Sequence, residues 1–134
     1  MSLNFGALPQ QGEIVTGAKT LSKSDDRKTF YLTAAAGAAI TLPAPYLGAE
    51  FSFVVGSAFA TTDWTIVTNG SANIINGSVE VAGAVVVGGS EDTISFVATA
   101  ETIGDHVRVR SNGTVWAVDG QAALSGGITL TQAS

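Results

Sequence analysis

Residues 108–118 read RVRSNGTVWAV, and this stretch decides the fold class that the sequence predicts. Apolar residues alternate with polar ones on both sides of Asn112-Gly113. That dipeptide favours positive φ at both central positions, as a type I′ turn requires. The stretch therefore predicts two antiparallel strands joined by a tight turn. The valines of the first strand line one face, while Arg108 and Arg110 face solvent or a partner.

Short apolar runs rich in Val, Thr and Phe recur along the rest of the chain, separated by Gly, Pro, Asn and Ser. The chain is therefore predicted to be all-β, a compact antiparallel β-sandwich or barrel of about eight to ten short strands. No clean internal repeat is visible, which disfavours a solenoid. The candidate strands outside the hairpin are 28–33, 38–42, 50–55, 64–68, 79–81, 84–87, 93–98 and 128–131.

The composition indicates a protein that buries part of its surface in an assembly. The chain has 134 residues, enough for one domain with a core. Hydrophobic residues make up 46% of it and charged residues only 13%, against roughly 25% in ordinary soluble domains. Its surface must therefore be largely Ser, Thr, Gly and Ala, or be covered by other subunits.

The charge balance argues against nucleic acid as a partner. The net charge is −5 and the six basic residues are scattered, so no basic footprint is available to replace counterions. The chain contains no run of about 18 apolar residues, so no membrane-spanning helix is predicted. The N-terminus lacks the pattern of a secretory signal, so synthesis in a cytoplasm is expected.

Residues 1–12 contain no periodic pattern and are predicted to form an extended N-terminal arm, followed by a single β domain over 13–134. The arm is either a frayed terminus or a segment that docks on a neighbouring subunit. In the second case the partner-binding residues are Leu3, Phe5, Leu8 and Pro9.

Residues suited to catalysis or metal binding are sparse, so no enzyme activity, cofactor, metal or small-molecule substrate is predicted. His106 is the only histidine and there is no cysteine. The acidic pairs 25–26 and 91–92 fall in turn-like stretches and are expected to be solvated. Asn69, Asn76 and Asn112 each begin an Asn-Gly-Ser/Thr sequence; a tight turn is the better interpretation than a glycosylation site.

Trp64 and Trp116 leave two possibilities open. Together with Arg108 and Arg110 they could form an oligomer contact or a face that stacks on sugar rings. Packing in the core or at a subunit interface is the favoured alternative, because large aromatic side chains contribute most there.

Residues 21–56 carry a resemblance to a known class of proteins. The segment LSKSDDRKTFYLTAAAG is followed by AAITLPAPYLGAEFSFVVG, and WTIVTNGSANIING comes downstream. The pattern G-x-x-ITLPA…G-x-x-F-x-F-V resembles that of small bacteriophage virion proteins. The resemblance covers roughly residues 20–78, a little under half of the chain.

Such proteins look like capsid decoration (cement) proteins or components of head or tail fibres. The resemblance implies a homotrimer, or a dimer, that binds the phage major capsid protein on the outside of the head shell. It implies a place on the virion surface after synthesis in the host cytoplasm. The alternative is a tail-fibre or spike module that binds a host cell-surface glycan.

Overall fold

The computed structural model describes residues 11–132. Leu3, Phe5, Leu8 and Pro9 of the predicted arm lie outside this range. Gln11 and Gly12, the last two residues assigned to the arm, already belong to the first strand. The strands are β1 (Gln11–Val15), β2 (Lys19–Thr20), β3 (Lys28–Leu32), β4 (Ala39–Thr41), β5 (Leu47–Val55), β6 (Trp64–Val67), β7 (Ile75–Val81), β8 (Ala84–Glu91), β9 (Thr93–Phe96), β10 (His106–Asn112), β11 (Trp116–Ala122) and β12 (Ile128–Thr131).

These strands form two sheets packed face to face, which confirms the prediction of an all-β sandwich. The seven-stranded sheet has the order β1-β3-β5-β10-β11-β7-β8, and the five-stranded sheet has the order β12-β9-β6-β4-β2. Both sheets are mixed rather than purely antiparallel: β1, β3 and β5 pair in parallel, as do β2, β4 and β6. Short 3₁₀ turns at Lys23–Asp25 and Asn69–Ser71 are the helical segments within residues 11–132.

The first six strands are wound as coils, a feature that the sequence analysis disfavoured. The chain passes from one sheet to the other at every step, and each strand pairs with the strand after next. The coils differ in length: Gln11 pairs with Lys28 (28 − 11 = 17), whereas Thr29 pairs with Ser52 (52 − 29 = 23). Because the spacing is unequal, no fixed period appears in the sequence.

The core lies between the sheets and contains most of the aromatic side chains. Phe30 of β3 stacks on Phe53 of β5 with ring centroids 5.5 Å apart. Phe51 packs at a tilt against Trp116, 5.9 Å between centroids. Their inward direction follows from the period of two along each strand.

The hairpin of β10 and β11 is present, but its turn is longer than predicted. Ser111 pairs with Trp116, which leaves four residues, 112–115, in the connection. Gly113 has a φ of 100°, while Asn112 is not among the residues with positive φ. A type I′ turn needs positive φ at both central residues, so that prediction is wrong. The Asn112 side chain instead accepts hydrogen bonds from the N–H groups of Thr114 and Val115.

The lateral side of the sandwich between β8 and β12 is closed by hydrogen bonds. The Asp92 N–H donates to the Thr131 carbonyl (3.0 Å), and the Gln132 side-chain amide donates to the Ser90 carbonyl (2.6 Å). On the opposite side, between β1 and β2, residues 11–132 form no such strand-to-strand closure, and charged side chains bridge the two strands.

Candidate partner-binding surfaces

Both tryptophans belong to the core and do not form the oligomer or glycan face that the sequence left possible. Trp64 and Trp116 are 0% exposed. Their indole N–H groups are buried and have no hydrogen-bond partner within residues 11–132. The favoured alternative, core packing, is confirmed for both residues, and neither tryptophan offers a surface on which a sugar ring could stack.

Arg108 and Arg110 lie on the outer face of the seven-stranded sheet, as predicted, and are paired with one carboxylate. Arg108 Nη2 is 3.4 Å from Asp119 Oδ2, and Arg110 Nη2 is 3.9 Å from Asp119 Oδ1. Glu50 is directly opposite Arg110 in the pairing of β5 with β10. This outer face is therefore charged, and its ion pairs are open to solvent.

A shallow depression of about 350 Å³ lies on the same face beside His106. Thr29, Ser52 and Asp119 contribute to its lining. The His106 ring contacts the Gly104 carbonyl through Nδ1 (3.1 Å). The ring has no hydrogen bond to a hydroxyl or carboxylate in the described chain, so the geometry supplies no nucleophile–base pair there.

Within residues 11–132, the strand residues on the outer face of the five-stranded sheet are all uncharged. Alternate residues of its strands point away from the core, because Ile40, Ile66 and Ile94 on the same strands are 0% exposed. We call this surface the threonine face. The strand register arranges it in two rows, Thr129–Ser95–Thr65–Ala39 and Thr131–Thr93–Val67–Thr41–Thr20.

The threonine face was not predicted from the sequence, although a repeated pattern in the chain corresponds to it. The segments TLT (129–131), TIS (93–95), TIV (65–67) and AIT (39–41) repeat one pattern: a small residue, a large buried one, and another small residue. Strand pairing brings the four segments side by side. The register that does so includes parallel pairs between strands far apart in sequence, which local patterns do not determine.

Strand β8 presents two exposed valines at the edge of the seven-stranded sheet. Val85 is 68% exposed and Val87 is 71% exposed, whereas Val86 between them packs against the core. We call this pair the β8 stripe. Leu47 is the most exposed large apolar side chain in residues 11–132, at 81%. It lies at the end of the sandwich where β1 begins, since β1, β3 and β5 run parallel.

A charged cluster spans the side of the sandwich between β1 and β2. The Lys28 ammonium is 3.1 Å from Glu13 and 3.0 Å from Asp25, and Lys19 is 3.0 Å from Glu13. Hydrogen bonds from Lys19 and then Lys28 lower the pKa of the Glu13 carboxyl. Burial opposes ionisation of Asp25, but hydrogen bonds from Lys28 and the Ser22 N–H outweigh it and lower the pKa of that carboxyl.

One member of each acidic pair predicted to be solvated is instead buried. Asp25 is 7% exposed and Asp92 is 1% exposed. Asp25 accepts the Ser22 N–H at the start of a 3₁₀ turn, and Asp92 accepts the Thr93 hydroxyl (2.7 Å). Each carboxylate is buried because it satisfies donors where the chain changes direction.

Within residues 11–132, no group of three or more His, Asp or Glu side chains is arranged to hold a metal ion. None of the described helical segments has the length and apolar character needed to span a bilayer. No protein-family model, curated protein or solved structure matches the chain.

Proposed function

We propose that this chain is a non-enzymatic bacteriophage structural protein, a capsid decoration protein that binds the outside of the head shell. The observation that carries the proposal is the difference in charge between the two outer faces of the sandwich. The seven-stranded sheet displays Arg108, Arg110 and Asp119. The threonine face carries hydroxyl and methyl groups; Thr65 and Thr129 are half-buried, whereas Thr93 and Ser95 are only 7% and 8% exposed.

This difference suits a protein that lies on a large surface. The centres of protein interfaces are depleted in charge, because an unpaired charge taken out of water is costly. Thr and Ser hydroxyls lose less on desolvation and are satisfied by donors and acceptors on the partner. The partner of the threonine face is therefore proposed to be the phage major capsid protein, with the charged face turned to solvent.

The resemblance over residues 20–78 supports the same proposal. The shell contact is proposed to include the N-terminal residues Leu3, Phe5, Leu8 and Pro9, together with the body end that carries Leu47. Many copies on one shell stabilise it by mass action, with multivalent contact adding to each weak site. The protein is proposed to act as a homotrimer on the virion surface, after synthesis in the host cytoplasm.

The test compares two lysine substitutions at half-buried threonines on opposite faces. Thr65 lies in the middle of the threonine face, and Thr29 lies on the outer face of the seven-stranded sheet. Each variant is mixed with empty phage shells, and the bound fraction is measured after sedimentation. Thr65→Lys is expected to lower shell affinity by at least about tenfold, equivalent to 1.4 kcal/mol, whereas Thr29→Lys binds as the wild type does. Equal binding by both variants, each with an unchanged circular dichroism spectrum, would contradict the assignment of the face.

A second variant tests the terminal segment. Removing residues 1–10 leaves β1 intact, because that strand begins at Gln11. The truncated protein is expected to keep its fold and its oligomeric mass while losing shell binding. Full retention of binding would overturn the part of the proposal that assigns the contact to Leu3, Phe5, Leu8 and Pro9.

A further inference from the structure

We propose that Asn69 is a site of spontaneous deamidation, and that the fold protects the chain's other two Asn-Gly sequences from the same reaction. The three sequences begin at Asn69, Asn76 and Asn112. A tight turn is present at Asn69, and at Asn112 the chain turns over the four residues 112–115 without the predicted type I′ conformation. The prediction of a turn is wrong at Asn76, which lies inside strand β7. The three sites therefore differ in the freedom that the reaction needs.

The reaction needs the peptide nitrogen of the following glycine to reach the asparagine side chain. The Gly70 nitrogen, losing its proton to hydroxide, attacks Cγ of Asn69 and forms a C–N bond. The bond from Cγ to Nδ2 breaks, and the amide nitrogen leaves as ammonia after taking up a proton. Water then opens the five-membered imide at either carbonyl, which gives aspartate or isoaspartate. Glycine speeds ring closure because it has no side chain to obstruct the approach.

The structure leaves this path open at Asn69. Asn69 and Gly70 are both exposed, and Gly70 has a φ of 66° with no atom within 4 Å of the position its Cβ would occupy. The turn is held by neighbouring groups: the Ser71 N–H donates to the Thr68 carbonyl, and the Thr68 hydroxyl donates to the Ala72 carbonyl. The Asn69 side chain takes part in none of the hydrogen bonds between described residues.

Asn112 is exposed as well, but its side chain is tied to the turn. Its Oδ1 accepts the Thr114 N–H at 2.9 Å and the Val115 N–H at 3.1 Å. The attacking group is also engaged, because the Gly113 N–H donates to the Ser111 hydroxyl oxygen at 2.9 Å. Ring closure at Asn112 breaks these bonds and is therefore slowed.

Asn76 is the most constrained of the three. It lies in β7 with β11 on one side and β8 on the other. Its Oδ1 accepts the Ser90 N–H at 2.9 Å. A Cβ on Gly77 would be 2.4 Å from the Val118 carbonyl oxygen, so the backbone has no room to rearrange. Imide formation there requires β7, which is paired on both sides, to leave the sheet.

Deamidation at Asn69 adds one negative charge to a chain whose net charge is −5. The new carboxylate is two residues beyond the end of β6, and β6 supplies Thr65 and Val67 to the threonine face. The reaction thus places a charge at the margin of the uncharged surface. The difference in reactivity among the three sites follows from their local geometries and does not depend on the proposed function.

The experiment incubates the full-length protein in mildly alkaline buffer and follows deamidation by peptide mass spectrometry. No Lys or Arg lies between Lys28 and Arg108, so Asn69 and Asn76 share one tryptic peptide and fragment ions must assign the change. In the folded protein, deamidation of Asn69 is expected to be at least about tenfold faster than at Asn76 or Asn112. That ratio corresponds to about 1.4 kcal/mol of added barrier at the protected sites.

Two controls make the outcome decisive. In concentrated urea the three sites are expected to react at similar rates, because the attacking residue is glycine in each. The Asn69→Ser variant, folded, is expected to lose the early acidic species on isoelectric focusing. Similar rates at the three sites in the folded protein, or a faster reaction at Asn112, would overturn the proposal.

Discussion

The Glu13 carboxylate lies 3.0 Å from the Lys19 ammonium, and this ion pair joins the edge strand of one sheet to the edge strand of the other. Glu13 has the same phase along β1 as the buried Val15, so its charge is directed toward the interior side of the edge. An inward-pointing charge discourages the addition of a further strand. Self-association is therefore expected elsewhere on the molecule.

Acid is expected to weaken this side of the sandwich. In the folded protein the pKa of the Glu13 carboxyl is lowered from its ordinary value of 4.5, chiefly by the hydrogen bond from Lys19. A carboxyl with a lowered folded pKa contributes stability above its unfolded pKa, and that contribution is lost as the pH falls through the folded value. Glu13→Gln is expected to cost about 1 kcal/mol or less at neutral pH, as partly exposed ion pairs do.

Urea unfolding at a series of pH values measures this effect. The wild type should lose stability below about pH 4.5 more steeply than Glu13→Gln does. Glu80→Gln serves as the control, because Glu80 is exposed on the outer face and forms no ion pair within residues 11–132. If the free energies of unfolding of wild type and Glu13→Gln fell in parallel as the pH is lowered, the ion pair would contribute nothing to stability.

Replacing Trp116 is expected to separate the contribution of its volume from that of its N–H group. Trp116→Ala leaves a large cavity beside Phe51 and should lower the free energy of unfolding by about 3–5 kcal/mol. Trp116→Phe keeps an aromatic ring and removes a buried N–H that has no acceptor in the described chain, so its cost should be less than half as large. Chemical denaturation followed by Trp64 fluorescence measures both; equal losses would indicate that the N–H is satisfied in solution.

Gly120 is expected to tolerate no side chain, because β10 and β11 approach closely at this point. A Cβ there would be 2.3 Å from the His106 carbonyl oxygen and 2.9 Å from the Val107 Cα. Gly120→Ala should therefore destabilise the protein by about 1–3 kcal/mol, as overpacking does. Gly89→Ala is the matched control, since nothing lies within 4 Å of its Cβ position. Thermal unfolding of the two variants should differ clearly, and a small loss for Gly120→Ala would show that the strands can separate.

The β8 stripe is expected to contribute to oligomer formation. Val85 and Val87 project side by side from one face of an edge strand, and neither is covered in the single chain. The double variant Val85→Asp, Val87→Asp should shift the mass measured by light scattering from trimer or dimer to monomer. Ile103→Asp, at an exposed apolar residue outside the stripe, should leave the mass unchanged. A wild-type monomer would remove the basis for this prediction.

Local sequence patterns predicted most strands but not how they pair. The candidate strands 50–55 and 64–68 match β5 and β6 in part, and alternation along them places Phe51, Phe53, Trp64 and Ile66 in the core. The alternation did not show that neighbouring strands of the first half lie in different sheets, because parallel partners are separated in sequence by a whole coil. Pairing of this kind is decided by tertiary packing and not by local propensity.

The candidate surfaces likewise divide into those set by the pattern of one strand, which were predicted, and those set by the pairing of several strands, which were not. The outward position of Arg108 and Arg110 follows from alternation along one strand, and it was predicted. Prediction of the threonine face requires the register of five strands at once, and this face was not predicted. Asn76-Gly77 was predicted as a turn because Asn-Gly favours one; pairing with β11 and β8 overrides that preference.

The coiled winding of β1 to β6 has a consequence for the order in which the molecule folds. Each new coil needs only the coil made just before it, so both sheets can grow strand by strand while the chain is still being synthesised. The centre of the large sheet is different, since β5 pairs with β10 and Val54 is opposite His106 (106 − 54 = 52). Closing a loop of that length is slow compared with local winding. The rate-limiting step is therefore expected to be the arrival of β10 on a preformed N-terminal half.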